Sequence, residues 1–238
     1  MEADPGEMKV DVVSDVVCPW CFVGKRRLES ALGLTDGSPV AVRWRPFQLD
    51  PTIPAEGLER RAYMRAKFRD DARLAEVHGR LRALGAEVGI EFDFDAISRS
   101  PNTLDAHRLI RWAEASGVQD EVVERLFSAY FEHGRDIGDR TVLTEIAGEC
   151  GMDAETVGRQ FAGEGDIEAV RSEIAEAQEI GVTGVPFFIF ASRFAVSGAQ
   201  SAEVLARALE SARSGGERVD VADFAFGASR WDITAVRL

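Results

Sequence analysis

Residues 9–21 read KVDVVSDVVCPWC, and this stretch decides the fold. Valine dominates the part from Lys9 to Val17, which predicts a strand buried on both faces. A helix is predicted to follow at once, from about Trp20 to Leu32. The Cys-x-x-Cys sequence formed by Cys18 and Cys21 therefore lies where a buried strand passes into a helix.

This position gives Cys18 the chemistry of a reactive thiol. Unpaired N–H groups and the helix dipole stabilise negative charge at a helix N-terminus, and the thiolate is the nucleophile in thiol–disulfide exchange. Cys21 lies one turn further into the helix, where it can attack a mixed disulfide on Cys18. Pro19 suits the first helical turn because its missing N–H would be unpaired there anyway.

Two other interpretations of the motif compete with redox chemistry. Half of a zinc site would need two more ligands, but only Cys150 and three scattered histidines remain, with no second pair at metal spacing. The thiols could also be inert core residues, since free cysteine is often buried. The strand-to-helix context favours the redox interpretation, and we predict neither a metal nor a bound cofactor.

A second candidate element lies near the end of the chain. Gly184-Val185-Pro186-Phe187 precedes an apolar run that predicts a strand. A proline at this point fits a cis X-Pro turn, which could present the Val185 backbone to an extended partner. An ordinary trans proline at a strand start is the alternative, and base rates alone favour it.

The remaining pattern predicts a strand–helix–strand unit, a helical block and a strand–strand–helix unit. The further strands are expected at Val40 to Phe47, Phe187 to Phe190 and Phe194 to Ser197, and the last helix at Ala202 to Ala212. Both units would share one sheet, so we predict an α/β, thioredoxin-like fold with a large all-helical insertion. The predicted boundaries are residues 8–57 and 181–213 for the thioredoxin-like domain, 58–180 for the inserted helical domain and 214–238 for a C-terminal tail.

Composition and charge exclude several classes of protein. Apolar residues make up 45% and charged residues 29%, which is typical of a globular protein. The formal net charge of −13 disfavours binding to nucleic acid or to anionic lipid. No apolar run is long enough to span a membrane, and residues 1–8 lack the features of a secretory signal, so a cytoplasmic location is expected.

Four separated segments resemble the FrnE-like branch of the DsbA family. They are residues 14–29 (SDVVCPWCFVGKRRLE), 101–109 (PNTLDAHRL), 181–188 (GVTGVPFF) and 196–200 (VSGAQ). The resemblance runs from about residue 8 to residue 212. It implies a thioredoxin fold with an inserted helical domain, in which Cys18 is the nucleophile and Cys21 the resolving thiol. It also implies that Val185–Pro186 is a cis peptide facing both.

Two comparisons within this superfamily refine the expected chemistry of the Cys-x-x-Cys motif. The related kappa-class glutathione transferases and 2-hydroxychromene-2-carboxylate isomerases tend to carry serine in the place of Cys18, so two cysteines here favour redox chemistry. DsbA itself has histidine where this chain has Trp20. Tryptophan cannot supply the charge or hydrogen bond that stabilises a strongly acidic thiolate, so we expect a milder oxidant.

The expected substrate-binding residues comprise four on the seam between sheet and helical block and the two of the proline turn. They are Trp20, Phe22, Asn102, His107, Val185 and Pro186. Asn102 could instead be a helix cap and His107 a core histidine. Asp15, three residues before Cys18, could assist proton transfer, although on a strand solvent or a basic neighbour is the expected environment.

Three functional hypotheses follow. The first is a thiol–disulfide oxidoreductase or disulfide isomerase that acts through a mixed disulfide on a protein or small molecule, with glutathione as a candidate redox partner. The second is a glutathione-dependent transferase or isomerase on the same fold. The third is a holdase-like or scaffolding protein with buried, unreactive structural thiols. A homodimer is left open as the oligomeric state.

Overall fold

The computed structural model of the protein describes residues 8–35, 37, 39–68 and 70–214. Apart from Ser214, the predicted tail lies outside the described residues. In chain order the elements are β1 (Met8–Ser14), α1 (Pro19–Gly33), β2 (Val40–Pro46), β3 (Leu58–Glu59), α2 (Arg60–Phe68), α3 (Asp71–Glu87), β4 (Arg99–Ser100), α4 (Leu104–Ser116), α5 (Gln119–Phe131), α6 (Arg140–Glu149), α7 (Ala154–Ala162), α8 (Ile167–Glu179), β5 (Phe187–Phe190), β6 (Phe194–Ser197) and α9 (Ala202–Arg213).

β1 lies inside the main sheet, whose strand order in the described chain is β2-β1-β5-β6. It pairs in parallel with β2, from Met8 opposite Val40 to Ser14 opposite Pro46, and antiparallel with β5. Its valines are almost inaccessible, with Val10 and Val12 at 0% exposure. The valine-rich sequence thus forms a buried strand, as predicted, because both faces of this layer are covered.

The strand is shorter than predicted, because it ends at Ser14 and not at Val17. Residues 15–17 form a turn that is closed by a hydrogen bond from the Cys18 N–H to the Asp15 carbonyl, at 2.9 Å. Val16 and Val17 favour a strand by propensity, but the chain must reverse here to enter α1. The tertiary requirement outweighs the local preference.

The predicted order of elements is confirmed. α1, β2, β5, β6 and α9 lie within one or two residues of their expected bounds, and helices fill most of the chain between β2 and β5. The ribbon of β3 and β4 was not predicted, because two-residue strands give no alternation of apolar and polar residues. None of the described helices is both long enough and apolar enough to cross a membrane.

Phe22 of α1 joins the sheet side of the molecule to the helical block. Its ring stacks on Phe127 of α5 at 5.0 Å with an interplanar angle of 7°, and it meets the edge of Phe92 at 6.1 Å. One continuous apolar cluster contains Val10 of β1 together with these rings. The helical block is therefore packed against the active-site helix through a shared core, and the domain boundaries given above stay a prediction.

A buried lysine adds a polar link at the same contact. The Lys25 side chain is 2% exposed, and its ammonium group lies 2.9 Å from Asp120 and 3.3 Å from Glu124, both on α5, and also pairs with Glu29. Burial acts to lower the pKa of Lys25, but the carboxylates of Asp120 and Glu29 outweigh it and raise that pKa. The ammonium group is thus charged and paired, which buried charges require.

We predict that Phe22→Ala lowers the free energy of unfolding by about 3–5 kcal/mol, because it removes a fully buried ring from a stacked cluster. Denaturant unfolding would measure the loss. Leu34→Ala is the matched control, since Leu34 is 59% exposed just beyond the same helix and should change stability by about 0.5 kcal/mol or less. Equal effects of the two substitutions would contradict the shared core.

Candidate active site

Cys18 occupies the N-cap of α1. Its backbone is extended, with φ −95° and ψ 111°, and its carbonyl accepts from the Cys21 N–H at 3.0 Å. Pro19 is the first residue of the helix, as its lack of an N–H allows. The thiol of Cys18 therefore lies at the positive end of the helix dipole.

The two thiols are free and differ in their access to solvent. Cys18 is 4% exposed and Cys21 is 0% exposed. Burial, together with the neighbouring Cys18 thiol, raises the pKa of Cys21 well above its ordinary value, although the Ser14 hydroxyl and the Asp15 backbone oppose the shift. Cys21 is thus a neutral thiol at neutral pH, and Cys18 is the sulfur that a partner can reach first.

The predicted proline turn lies directly against Cys18. The Val185–Pro186 peptide is cis, and the Val185 carbonyl lies 3.7 Å from the Cys18 sulfur. The turn is tied to β6 by a hydrogen bond from the Gly198 N–H to the Pro186 carbonyl, at 2.8 Å. Both the cis geometry and the contact with Cys18 are confirmed.

Gly24 permits this approach of the turn to the helix. A Cβ atom at Gly24 would lie 2.9 Å from Cγ of Pro186 and 3.2 Å from the Phe188 ring, which is closer than packed side chains tolerate. Gly24 was not predicted to have a role. Its signal was a glycine inside a helix, which costs stability and usually marks a close contact.

The predicted substrate-binding residues of α1 separate into two groups. Trp20 is half-buried in the first turn, next to Cys18, so part of its ring can meet a partner. Phe22 is 0% exposed and stacked on Phe127, so the structure places its ring in the shared core and not at the surface next to Cys18. The helical period places Phe22 on the buried face together with Cys21 and Leu28.

Asn102 is engaged by the protein framework. Its amide donates to the Ile53 carbonyl at 2.6 Å, and its Oδ1 accepts from the Leu104 N–H at 2.9 Å and from Gln48 at 3.1 Å. The N-cap of α4 is Thr103, so Asn102 is not the cap that was the alternative; it precedes the cap and its side chain accepts from the first N–H of the helix. Three of its hydrogen bonds go to the protein framework, so substrate contact by Asn102 stays a prediction.

His107 and Asp15 form a buried polar pair close to the turn before Cys18. His107 is 3% exposed, and its Nε2 lies 2.8 Å from the Phe47 carbonyl and 3.5 Å from Oδ1 of Asp15. Asp15 is 1% exposed, so the expectation of a solvent-facing carboxylate is wrong, while that of a basic neighbour is correct. Its Oδ2 accepts from the Leu49 N–H at 2.8 Å.

The Asp15–Leu49 hydrogen bond fastens the segment after β2 to the turn that carries Cys18, and the His107–Phe47 hydrogen bond fastens α4 to the same segment. His107 reaches the thiol only through the Asp15 backbone, whose carbonyl accepts from the Cys18 N–H. His107 is a buried core residue of α4 that contacts the segment after β2, between the sheet and the helical block. At 3% exposure, His107 is not accessible to a substrate in this structure.

A cavity of about 180 Å³ lies between residues 55–57 and 136–139, and neither thiol lines it. Among the residues that the structure describes, no group of three or more His, Cys, Asp or Glu side chains could hold a metal ion. Cys18 is nearly buried, whereas Trp20, two residues further on, and Val185, whose carbonyl contacts the Cys18 sulfur, are half-buried and partly accessible.

We predict that Gly24→Ala destabilises the protein by about 1 kcal/mol, because overpacking against Pro186, at about 1–3 kcal/mol, exceeds the gain in helix propensity of about 1 kcal/mol. Cys18 should also be alkylated faster, as Val185 is pushed off its sulfur. Gly79→Ala is the control, since a Cβ there meets open space on α3. If both substitutions were equally stabilising, the close contact would be refuted.

Comparisons with known proteins agree with this geometry. Residues 9–210 match the model of the DSBA-like thioredoxin domain family. The uncharacterized protein YwbO of Bacillus subtilis is 29% identical over 201 residues, covering 84% of this chain and 94% of YwbO. The crystal structure of a probable DsbA oxidoreductase from Streptomyces coelicolor shares 32% identity with a TM-score of 0.81, and the match covers 90% of this chain and 93% of that one.

More distant structures share the fold alone. A 2-hydroxychromene-2-carboxylate isomerase is 17% identical with a TM-score of 0.66, over 85% of this chain and 94% of that one. The cytosolic disulfide reductase DsbM of Pseudomonas aeruginosa, solved with glutathione, is 19% identical with a TM-score of 0.56, over 87% and 96% of the two chains. Since the family model spans both sequence segments of the sheet and the helices between them, the chain belongs to the DSBA-like thioredoxin domain family.

Proposed function

We propose that the protein is a thiol–disulfide oxidoreductase or disulfide isomerase that works through a mixed disulfide on Cys18. One observation carries the proposal: the Cys18 sulfur lies at the N-terminus of α1 and against the Val185 carbonyl, with the second thiol, Cys21, one turn behind it. Membership of a family of disulfide oxidoreductases supports an enzyme.

The first step is attack on a partner disulfide by Cys18. The Cys18 thiolate, favoured by the helix N-terminus, forms a bond to one partner sulfur and the other leaves as a thiolate. Trp20 and the Val185 backbone flank the sulfur and would hold an extended segment of the partner beside it. A polypeptide or a flat organic thiol fits this surface better than a highly charged ligand.

The second step is resolution by Cys21. Its sulfur attacks Cys18, the bond from Cys18 to the partner breaks, and the partner leaves as a thiol. The protein then holds a Cys18–Cys21 disulfide, and two electrons have passed to the partner. Oxidation of a partner dithiol is the same path in reverse, and isomerisation uses only the mixed disulfide.

The burial of Cys18 bears on the structural-thiol hypothesis. At 4% exposure the sulfur has only a narrow opening, so a partner must displace part of its cover. A merely structural cysteine needs neither a helix N-terminus nor a second thiol beside it. These two features favour redox chemistry. The reactivity of the Cys18 thiol decides between a redox-active and a structural role.

The glutathione-dependent transferase or isomerase is the less favoured alternative. Transfer chemistry needs one nucleophile or a bound glutathione, and gives no role to a buried second thiol such as Cys21. Glutathione remains in the proposal as a redox partner. Support for it comes from the DsbM structure of the same fold, which was solved with glutathione.

We predict that Cys21→Ser accumulates a stable mixed disulfide with glutathione or a peptide, because the resolving sulfur is missing. Cys18→Ser should form none and should lose insulin reduction. Mass spectrometry after acid quenching would identify the adducts, and iodoacetamide at mildly acidic pH should label Cys18 before the other thiols. Cys150→Ser is the control and should behave like the parent. Preferential labelling of Cys150, with Cys18 inert, would instead support structural thiols.

A further inference from the structure

Ser14 is a buried hydroxyl that the mechanism above does not use. It is the last residue of β1 and is 4% exposed. Its Oγ is shielded from solvent and makes no well-formed hydrogen bond to any of the described residues. A buried hydroxyl without a partner is costly, which suggests that its partner appears in another state of the protein.

Strand geometry places Ser14 on the face of β1 that meets the thiols. Side chains alternate along a strand, so Val10, Val12 and Ser14 share one face. Val10 and Val12 belong to the core cluster that contains Cys21, whereas Val13 belongs to a separate cluster with Phe47 on the other side. Ser14 therefore lies on the same face of β1 as Val10 and Val12, and its side chain acts on the Cys21 thiol.

The neighbouring carboxylate faces away from Cys21. Asp15, next along the strand, directs its side chain to the Leu49 N–H and to His107. The groups that act on the Cys21 thiol are accordingly Cys18, the Ser14 hydroxyl and the backbone of Asp15. Of the side chains in this set, Ser14 alone favours the thiolate, since it lowers the pKa of Cys21 while Cys18 raises it.

We propose that Ser14 is a catalytic residue whose hydroxyl donates a hydrogen bond to the Cys21 sulfur while that sulfur carries negative charge. The inference deepens the proposed function and rests on it. In resolution, Cys21 loses its proton, its thiolate bonds to the Cys18 sulfur, and the Cys18–partner bond breaks. The departing partner thiolate takes up a proton, so charge and electrons balance.

The same hydroxyl acts in the opposite direction. When a partner thiolate attacks Cys18 of the Cys18–Cys21 disulfide, Cys21 leaves as a thiolate in a site with 0% exposure. Water cannot solvate that charge, so a donor already in place has a large effect. A neutral thiol is a weak acceptor, and the hydrogen bond therefore strengthens mainly in the charged state, which is what lowers a barrier.

Isosteric substitutions separate the hydroxyl from its volume. Ser14→Thr keeps the hydroxyl, whereas Ser14→Val replaces it by a methyl group in a strand that is already rich in valine. Ser14→Ala removes it without adding volume. Ser100→Ala is the matched control, since Ser100 is a buried residue on β4, outside the sheet that carries β1.

Rapid mixing of the reduced proteins with oxidised glutathione, followed by acid quenching and mass spectrometry, resolves both steps. We expect Ser14→Val and Ser14→Ala to resolve the mixed disulfide about tenfold more slowly, the contribution of one hydrogen bond to a charged group, with unchanged attack by Cys18. Ser14→Thr and Ser100→Ala should resolve it at the parent rate. Equal resolution rates for the Val, Ala and Thr variants would overturn the proposal.

A titration of Cys21 gives a second readout that does not depend on turnover. In a Cys18→Ser background, the alkylation rate of Cys21 against pH should shift to higher pH for Ser14→Val relative to Ser14→Thr. No shift would contradict the hydrogen bond even if a variant were unstable. If the parent protein formed no mixed disulfide at all, the proposed function would fail, and this titration would still test Ser14.

Discussion

The short turn between β1 and α1 is the constraint on which the site depends. A hydrogen bond from the Cys18 N–H to the Asp15 carbonyl closes it, and the helix begins at the next residue. β1 is paired on both sides, with β2 and with β5, and this pairing positions the start of α1. The Cys18 sulfur is thereby fixed at the helix N-terminus, beside the turn that precedes β5.

Three contacts transmit this constraint to the rest of the chain. Gly24 lets Pro186 approach α1, which brings the Val185 carbonyl to Cys18. The hydrogen bond from the Leu49 N–H to Asp15 ties the turn to the segment after β2. Phe22 stacks on Phe127 and so joins α1 to the helical block. The helical block thus packs directly on α1. It influences the site by fixing the position of that helix.

The sequence predicted the elements that rest on local periodicity and on the Cys-x-x-Cys motif. It predicted the proline turn through family resemblance, since a cis bond has no reliable local signal. It failed where long-range packing decides. Val16 and Val17 have strand propensity but form a turn, Phe22 is taken up by the core, and the Asn102 amide is consumed by Ile53 and Gln48. Such pairings join distant segments, which a single sequence does not reveal.

The most direct test of the account is the redox equilibrium of the intact protein. It would be equilibrated in dithiol–disulfide buffers between about −120 and −300 mV and analysed by mass spectrometry of its peptides. The account predicts a reversible Cys18–Cys21 disulfide that titrates as a two-electron couple, with a tenfold change in ratio for about 30 mV. A protein whose Cys18 and Cys21 stay reduced and unlinked over that whole range would contradict it.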